Sequence, residues 1–358
     1  MNNYQNSNGQ FSGWEQNRVS YGAQYPQGFV PYGSVMPNER QEEENDKKIL
    51  KKMGNCFGIA IILYVVLSTV FSLVILLLSE FFPVFNLLYE NEFANYAYSV
   101  VGSILYIGVP FGIVYLVLKK KKISGVLPFG TVYNGKAAVY LTMATIPAMV
   151  LSSIVVNAIS LVIQMLLGIE FTSGLEDLKM TGAGGFIIGA ISMAIVPAII
   201  EEFSIRGVVM QPLRRYGDGF AIVASAFIFS IMHGNMAQIP YTVIGGLYLG
   251  YLTIATGSIW PSIIVHFVNN MYSVIIMSVD SNFGTSASGV AAFMMIGLFI
   301  IIGIIGAVKF FSMNYKTKLG KGVKTLKTGK KIKSLFVNVP MIIAIVIMII
   351  ITLTSIES

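Results

Sequence analysis

Apolar residues run along this chain in long unbroken blocks, separated by short polar and basic segments. Blocks at roughly 54–79, 97–118, 140–167, 186–209, 219–236, 239–256, 259–278, 289–308 and 338–354 predict nine spans. A run of about 20 residues at 1.5 Å rise crosses a hydrocarbon core of about 30 Å. Unpaired backbone groups are not tolerated in lipid, and the blocks are too long for barrel strands. The pattern therefore predicts an all-α fold, a polytopic transmembrane helix bundle of eight to nine spans. The first block follows a long polar tail and has no small-residue cleavage site behind it, so it reads as a membrane helix and not a cleaved leader.

Composition agrees with a membrane solvent: 55% of residues are hydrophobic and 11% are charged, against about 25% charged in soluble domains. The net charge of +7 does not point to nucleic acid, because the basic residues flank apolar blocks. There they act as orientation signals and as contacts to anionic lipid. With the N-terminus in the cytoplasm, that side holds Arg18, Arg40, Lys47, Lys48, Lys51 and Lys52, then Lys119 to Lys122, Lys136, Arg214, Arg215 and the stretch Lys309 to Lys333. The other side holds only Lys179, among Glu80, Glu90, Glu92, Glu170, Glu176, Asp177 and Asp280. An integral protein of a bacterial plasma membrane, N-terminus in and C-terminus out, is expected. The lone Cys56 excludes an internal disulfide framework and a multi-cysteine metal site, and reads as a small apolar residue.

Four regions follow. Residues 1–46 hold a cytoplasmic tail rich in Asn, Gln, Gly and Tyr, which lacks apolar periodicity and is expected to be disordered. It reads as a spacer, with weak partner binding through Phe11, Trp14, Tyr21, Tyr25, Phe29 and Tyr32 as the alternative. Residues 47–136 hold the first two spans and a basic loop, 137–278 the chemical core, and 279–358 the last spans with the lysine-rich loop.

Within the nine blocks, the ionisable side chains that could carry charge at neutral pH are Glu201, Glu202, Arg206, His233 and His266. Burying such groups in a bilayer costs several kcal/mol, so they face the bundle interior and mark function. Helix rise sets Glu201 roughly 18 Å and His233 roughly 20 Å from their cytoplasmic edges, with His266 and Asn270 roughly 11 and 17 Å deep. All of them can meet at one level. Glu202 with Arg206, Phe229 with His233, and His266 with Asn270 are each four apart and share a helix face. Glu201 lies about 100° around the helix from Glu202 and is free to address another partner. A poorly solvated carboxylate is a competent base for water, and imidazole or amide donors can hold an oxyanion, so the set reads as a hydrolase site.

Taken singly, each feature has a plainer explanation. Glu202–Arg206 could be a structural pair, His233 a packing residue and His266–Asn270 helix-to-helix glue. Phe229 reads as packing that orients an imidazole, and Gly234, Gly245, Gly246 and Met232 as sites of close helix approach. Their concurrence, in order, favours chemistry.

The string Glu201-Glu202-Phe203-Ser204-Ile205-Arg206 fits EExxxR, Phe229 to His233 fits FxxxH and His266 to Asn270 fits HxxxN. In these three motifs the chain resembles the CAAX prenyl protease and bacteriocin-processing family, also called Abi, over roughly residues 140–275. The resemblance implies an intramembrane endopeptidase acting on a peptide or membrane-protein substrate. It gives Glu201 the water, with help from His233, gives His266 and Asn270 the oxyanion, and has Glu202 and Arg206 shape the site. No cofactor is then required. Zinc on Glu201, His233 and His266 is the alternative, since two histidines and a carboxylate form a common catalytic ligand set. H-E-x-x-H is absent and neither histidine has an obvious supporting carboxylate, which favours the metal-free reading. The rival functions are a proton-coupled transporter, for which no internal repeat is seen, and a non-catalytic immunity or scaffold protein.

The one-sided lysines make topology testable: a membrane-impermeant thiol reagent added to intact cells should label Asp280→Cys and spare Lys324→Cys. The reverse pattern would invert the orientation.

Overall fold

The computed structural model describes residues 39–172 and 179–357, so residues 1–38 of the expected disordered tail lie outside the described residues, as do Glu176 and Asp177, whereas residues 39–46 are helical and not disordered. Ten helices carry the described chain: α1 (Glu39–Phe81), α2 (Glu92–Lys120), α3 (Gly135–Leu167), α4 (Gly182–Tyr216), α5 (Asp218–Ile231), α6 (Ile239–Thr256), α7 (Trp260–Phe283), α8 (Thr285–Ser312), α9 (Thr328–Phe336) and α10 (Val339–Leu353). Seven of them are long and apolar enough to cross a membrane, and α9 with α10, bent by 77°, makes an eighth if the pair counts as one span. This is an all-α, integral multi-pass bundle of about eight spans.

Local chemistry sets the helix ends. Asn91, Asn134 and Asn338 cap α2, α3 and α10, each accepting a backbone N–H three residues on, at 3.1, 3.0 and 3.2 Å. Gly168 and Gly257 close α3 and α6 in the left-handed conformation, with φ of 65° and 75°.

The expected fifth span, 219–236, is shorter than the apolar run that suggested it. α5 has 14 residues, roughly 21 Å, and ends before His233. The His233 and Gly234 N–H groups bond only three residues back, to Ser230 and Ile231, and Gly234 takes φ 63°. Asn235 Oδ1 accepts the Gln238 N–H at 2.9 Å, and Ser230 Oγ donates to the Ile239 carbonyl at 2.7 Å. The run continues through a turn because these residues bring their own partners for the freed backbone. Gly234 thus serves the turn, and because a Cβ on it would lie 3.1 Å from the Ile351 side chain and 3.2 Å from that of Met348 on α10, the expected close helix approach is present there as well.

Charged contacts gather the basic segments at one end of the bundle. Arg215 pairs with Asp46 at 2.8 Å and Arg214 with Asp218 at 2.7 Å, while the Gly320 N–H donates to Asp218 at 2.7 Å. The start of α1, the end of α4, the start of α5 and the lysine-rich loop are tied together there. At the far end, Glu92 accepts from Thr181 and Asn282 bridges Met180 and Gly182. A two-residue strand, β1 (Glu170–Phe171), pairs antiparallel with β2 (Ile356–Glu357).

Small residues set the helix spacing. A Cβ on Gly246 of α6 would lie 2.9 Å from the Ala226 Cβ of α5, so the expectation of close approach holds there. A Cβ on Gly306 of α8 would lie 2.6 Å from the Met143 Cβ and 2.7 Å from the Tyr140 carbonyl of α3, whereas Gly297 on the same helix faces open space. Gly306→Val should therefore lower stability in detergent by about 1–3 kcal/mol through overpacking, while Gly297→Val stays near neutral. Thermal unfolding of the two variants, read by tryptophan fluorescence, checks the contrast.

Candidate active site

α4 is not one regular helix. It widens into π-turns at Ala190–Ile195 and Phe203–Val209, with the α-helical stretch Val196–Glu202 between them. Pro197, near the start of that stretch, lacks the N–H that would bond back to the Met193 carbonyl in α register. The Asn270 amide on α7 donates to that carbonyl at 3.1 Å. In the second π-turn the Arg206 carbonyl accepts from the Gln211 side chain at 2.9 Å. Side chains from elsewhere thus satisfy a backbone whose register shifts on both sides of the paired glutamates, a device common at functional sites.

Glu202 and Arg206 have fully buried side chains, and their Oε1 to Nη1 separation is 2.8 Å. The guanidinium also donates through Nη2 to the Gly246 carbonyl at 3.3 Å and lies 4.7 Å from the centre of the Phe229 ring. The tight crossing at Gly246 is what brings that carbonyl within reach. His266 Nδ1 donates to the same Glu202 Oε1 at 2.9 Å, and its Nε2 is 3.8 Å from Glu201 Oε2. The acceptor is a carboxylate, so Nδ1 carries the proton. Phe229 sits edge-on to both imidazoles, 4.8 Å from His233 and 6.0 Å from His266 between ring centres. It packs, and it orients.

Glu201 differs from its neighbour. Its side chain keeps 19% exposure and lines a cavity of about 170 Å³ with Tyr64, Ile107, Ile205, Phe229, Met232, His233, Asn235 and Gln238. His233 donates through Nδ1 to the Phe229 carbonyl at 2.9 Å. That bond leaves its Nε2 as a lone-pair acceptor.

All seven residues singled out in the sequence fall within this cluster or its immediate support. Glu201, His233 and Phe229 line the cavity, Glu202, Arg206 and His266 form the buried charge network behind it, and Asn270 braces the first π-turn. Sequence reading missed Tyr64, Asn235 and Gln238. Tyr64 is an unremarkable aromatic in an apolar run of α1, and the other two lie in a turn that the apolar pattern concealed.

For the alternative zinc set of Glu201, His233 and His266, the expectation that neither histidine has a supporting carboxylate is corrected: Glu202 holds His266 Nδ1 and a backbone carbonyl holds His233 Nδ1, bonds that leave each Nε2 open. The grouping is what fails to fit, since no three His, Cys, Asp or Glu side chains among the described residues are gathered to hold an ion.

Residues 183–272 match the family model described as Type II CAAX prenyl endopeptidase Rce1-like. That stretch, from the start of α4 into α7, is similar to an Rce1-like domain, in agreement with the family the three motifs resemble, and it contains all seven site residues. No curated protein and no solved structure matches the chain.

Breaking the buried pair from one side strands a charge. Glu202→Gln should cost about 3–5 kcal/mol of stability by leaving the Arg206 charge uncompensated, and should release His266 as well. Thermal unfolding of this variant beside Glu202→Gln/Arg206→Met checks the assignment, since removing both charges should recover part of the loss.

Proposed function

We propose that this chain is an intramembrane endopeptidase in which Glu201 activates a water molecule against a peptide bond of a membrane-associated or peptide substrate. The observation that carries this reading is the inequality of the two glutamates. Glu202 is spent on Arg206 and His266, while Glu201 faces the cavity beside the free Nε2 of His233. The Rce1-like domain supports peptidase chemistry of the CAAX type in general.

In this mechanism Glu201 and His233 Nε2 accept the two hydrogens of a water and aim its oxygen at the substrate carbonyl. As the new carbon–oxygen bond forms, Glu201 takes a proton and the carbonyl electron pair moves onto oxygen as an oxyanion. That pair returns, the carbon–nitrogen bond breaks, and the proton held by Glu201 passes to the departing amine. His266, Glu202 and Arg206 act behind the carboxylate, fixing its position and balancing its charge. Asn270 keeps the preceding π-turn in register through the Met193 carbonyl. The reaction is read as metal-free because no three His, Cys, Asp or Glu side chains among the described residues are grouped to hold an ion. The basic end of the bundle is assigned to the cytoplasm of a bacterial cell, on the positive-inside rule.

The test is cleavage of an internally quenched peptide library by purified protein in liposomes. Wild-type protein should cleave members of the library. Glu201→Gln, which keeps size and hydrogen bonding, should fall to background with unchanged thermal unfolding. Activity should survive a strong chelator, and zinc content should be well under one equivalent. Full activity in Glu201→Gln would remove the base from this residue, and loss on chelation with rescue by zinc would reassign Glu201, His233 and His266 as ligands.

A further inference from the structure

A second recess, of about 890 Å³, opens at the basic end of the bundle between α5, α9, α10 and the lysine-rich loop. Its volume falls within the range of small-molecule sites. The hydrophobic side chains of Phe220, Val223, Phe227, Ile332, Phe336 and Ile345 form most of its wall. Its charged side chains are two ammonium groups, Lys321 and Lys331, and no acidic side chain among the described residues lines it. The neighbouring carboxylate of Asp218 is already matched by Arg214 at 2.7 Å and by the Gly320 N–H at 2.7 Å.

The recess is polar at one end and apolar at the other, and the contacts of α9 fix which is which. Lys331 Nζ donates to the Tyr216 carbonyl at the end of α4 at 2.5 Å and lies 5.9 Å from the centre of the Phe220 ring. Further along α9, Phe336 packs edge-on against Phe227 of α5 with ring centres 5.3 Å apart. Phe220 and Phe227 are roughly 10 Å apart along the axis of α5. The ammonium of Lys331 is held in place by its two contacts and keeps further N–H donors for a ligand. The Lys321 side chain has no hydrogen bond or ion pair among the described residues. Val223 and Ile332 on the wall are exposed, so in a membrane the recess opens to lipid.

We propose that this recess binds one anionic phospholipid, with its phosphate on Lys321 and Lys331 and an acyl chain laid along Val223 and Phe227 towards Phe336 and Ile345. Two cations without an acid select an anionic headgroup over a zwitterionic one. The lengthwise change from ammonium to hydrocarbon selects an amphiphile over a soluble anion, which would leave the apolar wall uncovered. General attraction to a membrane surface depends on how many lysines there are, whereas a built site depends on which ones. Lys318 and Lys324 belong to the same loop and lie outside the recess, so they separate the two cases. The bound lipid ties α9 and α10 to α5, and the proposal stands apart from the hydrolytic reading.

The experiment measures phosphatidylglycerol binding to the purified, delipidated full chain in neutral detergent, by mass spectrometry of the intact complex and by the shift in thermal unfolding. Wild type should retain one lipid per chain and bind phosphatidylcholine and glycerol phosphate about tenfold more weakly or worse. Lys321→Gln/Lys331→Gln should weaken phosphatidylglycerol binding about 30-fold, the effect of two lysines beside an anionic headgroup. Lys318→Gln/Lys324→Gln, an equal loss of charge outside the recess, should stay within about threefold of wild type. Val223→Trp keeps both lysines and fills the acyl path, so it should weaken binding about tenfold or more. Thermal unfolding without lipid confirms that each variant is folded, and Val223→Trp provides the test if loss of the Lys331 contacts disturbs folding. The proposal is overturned if wild type retains no phosphatidylglycerol, or if the two lysine pairs weaken binding equally, which leaves only diffuse charge. Equal affinity for phosphatidylcholine or for glycerol phosphate overturns it too, as does unchanged binding in Val223→Trp.

Discussion

The fully buried Glu202–Arg206 pair is the constraint around which the rest of this bundle is arranged. Two charges in an apolar interior are tolerable only when they are paired and further hydrogen-bonded, although Glu202 Oε2 and Arg206 Nε have no hydrogen-bond partner among the described residues. Arg206 takes one from Glu202, one from the Gly246 carbonyl and a face of Phe229. Glu202 takes a second from His266. Those needs fix how four helices meet: α4 must present Arg206 to α6, α6 must be bare at Gly246, α5 must place Phe229 beneath the guanidinium, and α7 must reach Glu202. With its neighbour committed, Glu201 is the carboxylate that faces the cavity.

The chemical constellation was legible in the sequence because membrane burial makes ionisable residues conspicuous. Glu201, Glu202, Arg206, His233 and His266 stand out against apolar runs, and four-residue spacing correctly paired Glu202 with Arg206. What periodicity could not convey is hydrogen-bond register. An apolar run looks the same whether its backbone is α, π or a turn, so the two widened segments of α4 and the end of α5 at Ile231 left no mark in the pattern. Pro197 was the one visible cue to the first of them.

For the same reason Asn270 was legible as polar but not in what it does. Its motif placed it beside His266, and only three-dimensional contact shows its amide on the Met193 carbonyl, where Pro197 has no N–H to offer. Tyr64 was illegible for a different reason. An aromatic in a membrane helix is ordinary, and its place beside Glu201 arises from the packing of α1 across the cavity, a contact remote in sequence.

Ser355 sits just before β2 and touches two distant parts of the chain. Its carbonyl accepts from Thr172 beside β1, and its hydroxyl accepts the Met236 N–H at 2.9 Å. Met236 lies three residues after His233, in the turn that also carries Asn235 and Gln238. The segment after α10 is thus a mechanical linkage between the loop following α3 and the histidine turn. A load applied beyond Ser355, such as a bulky fused domain or an affinity handle, would be transmitted to the wall of the cavity, whereas one attached ahead of α1 would act at the opposite face of the bundle.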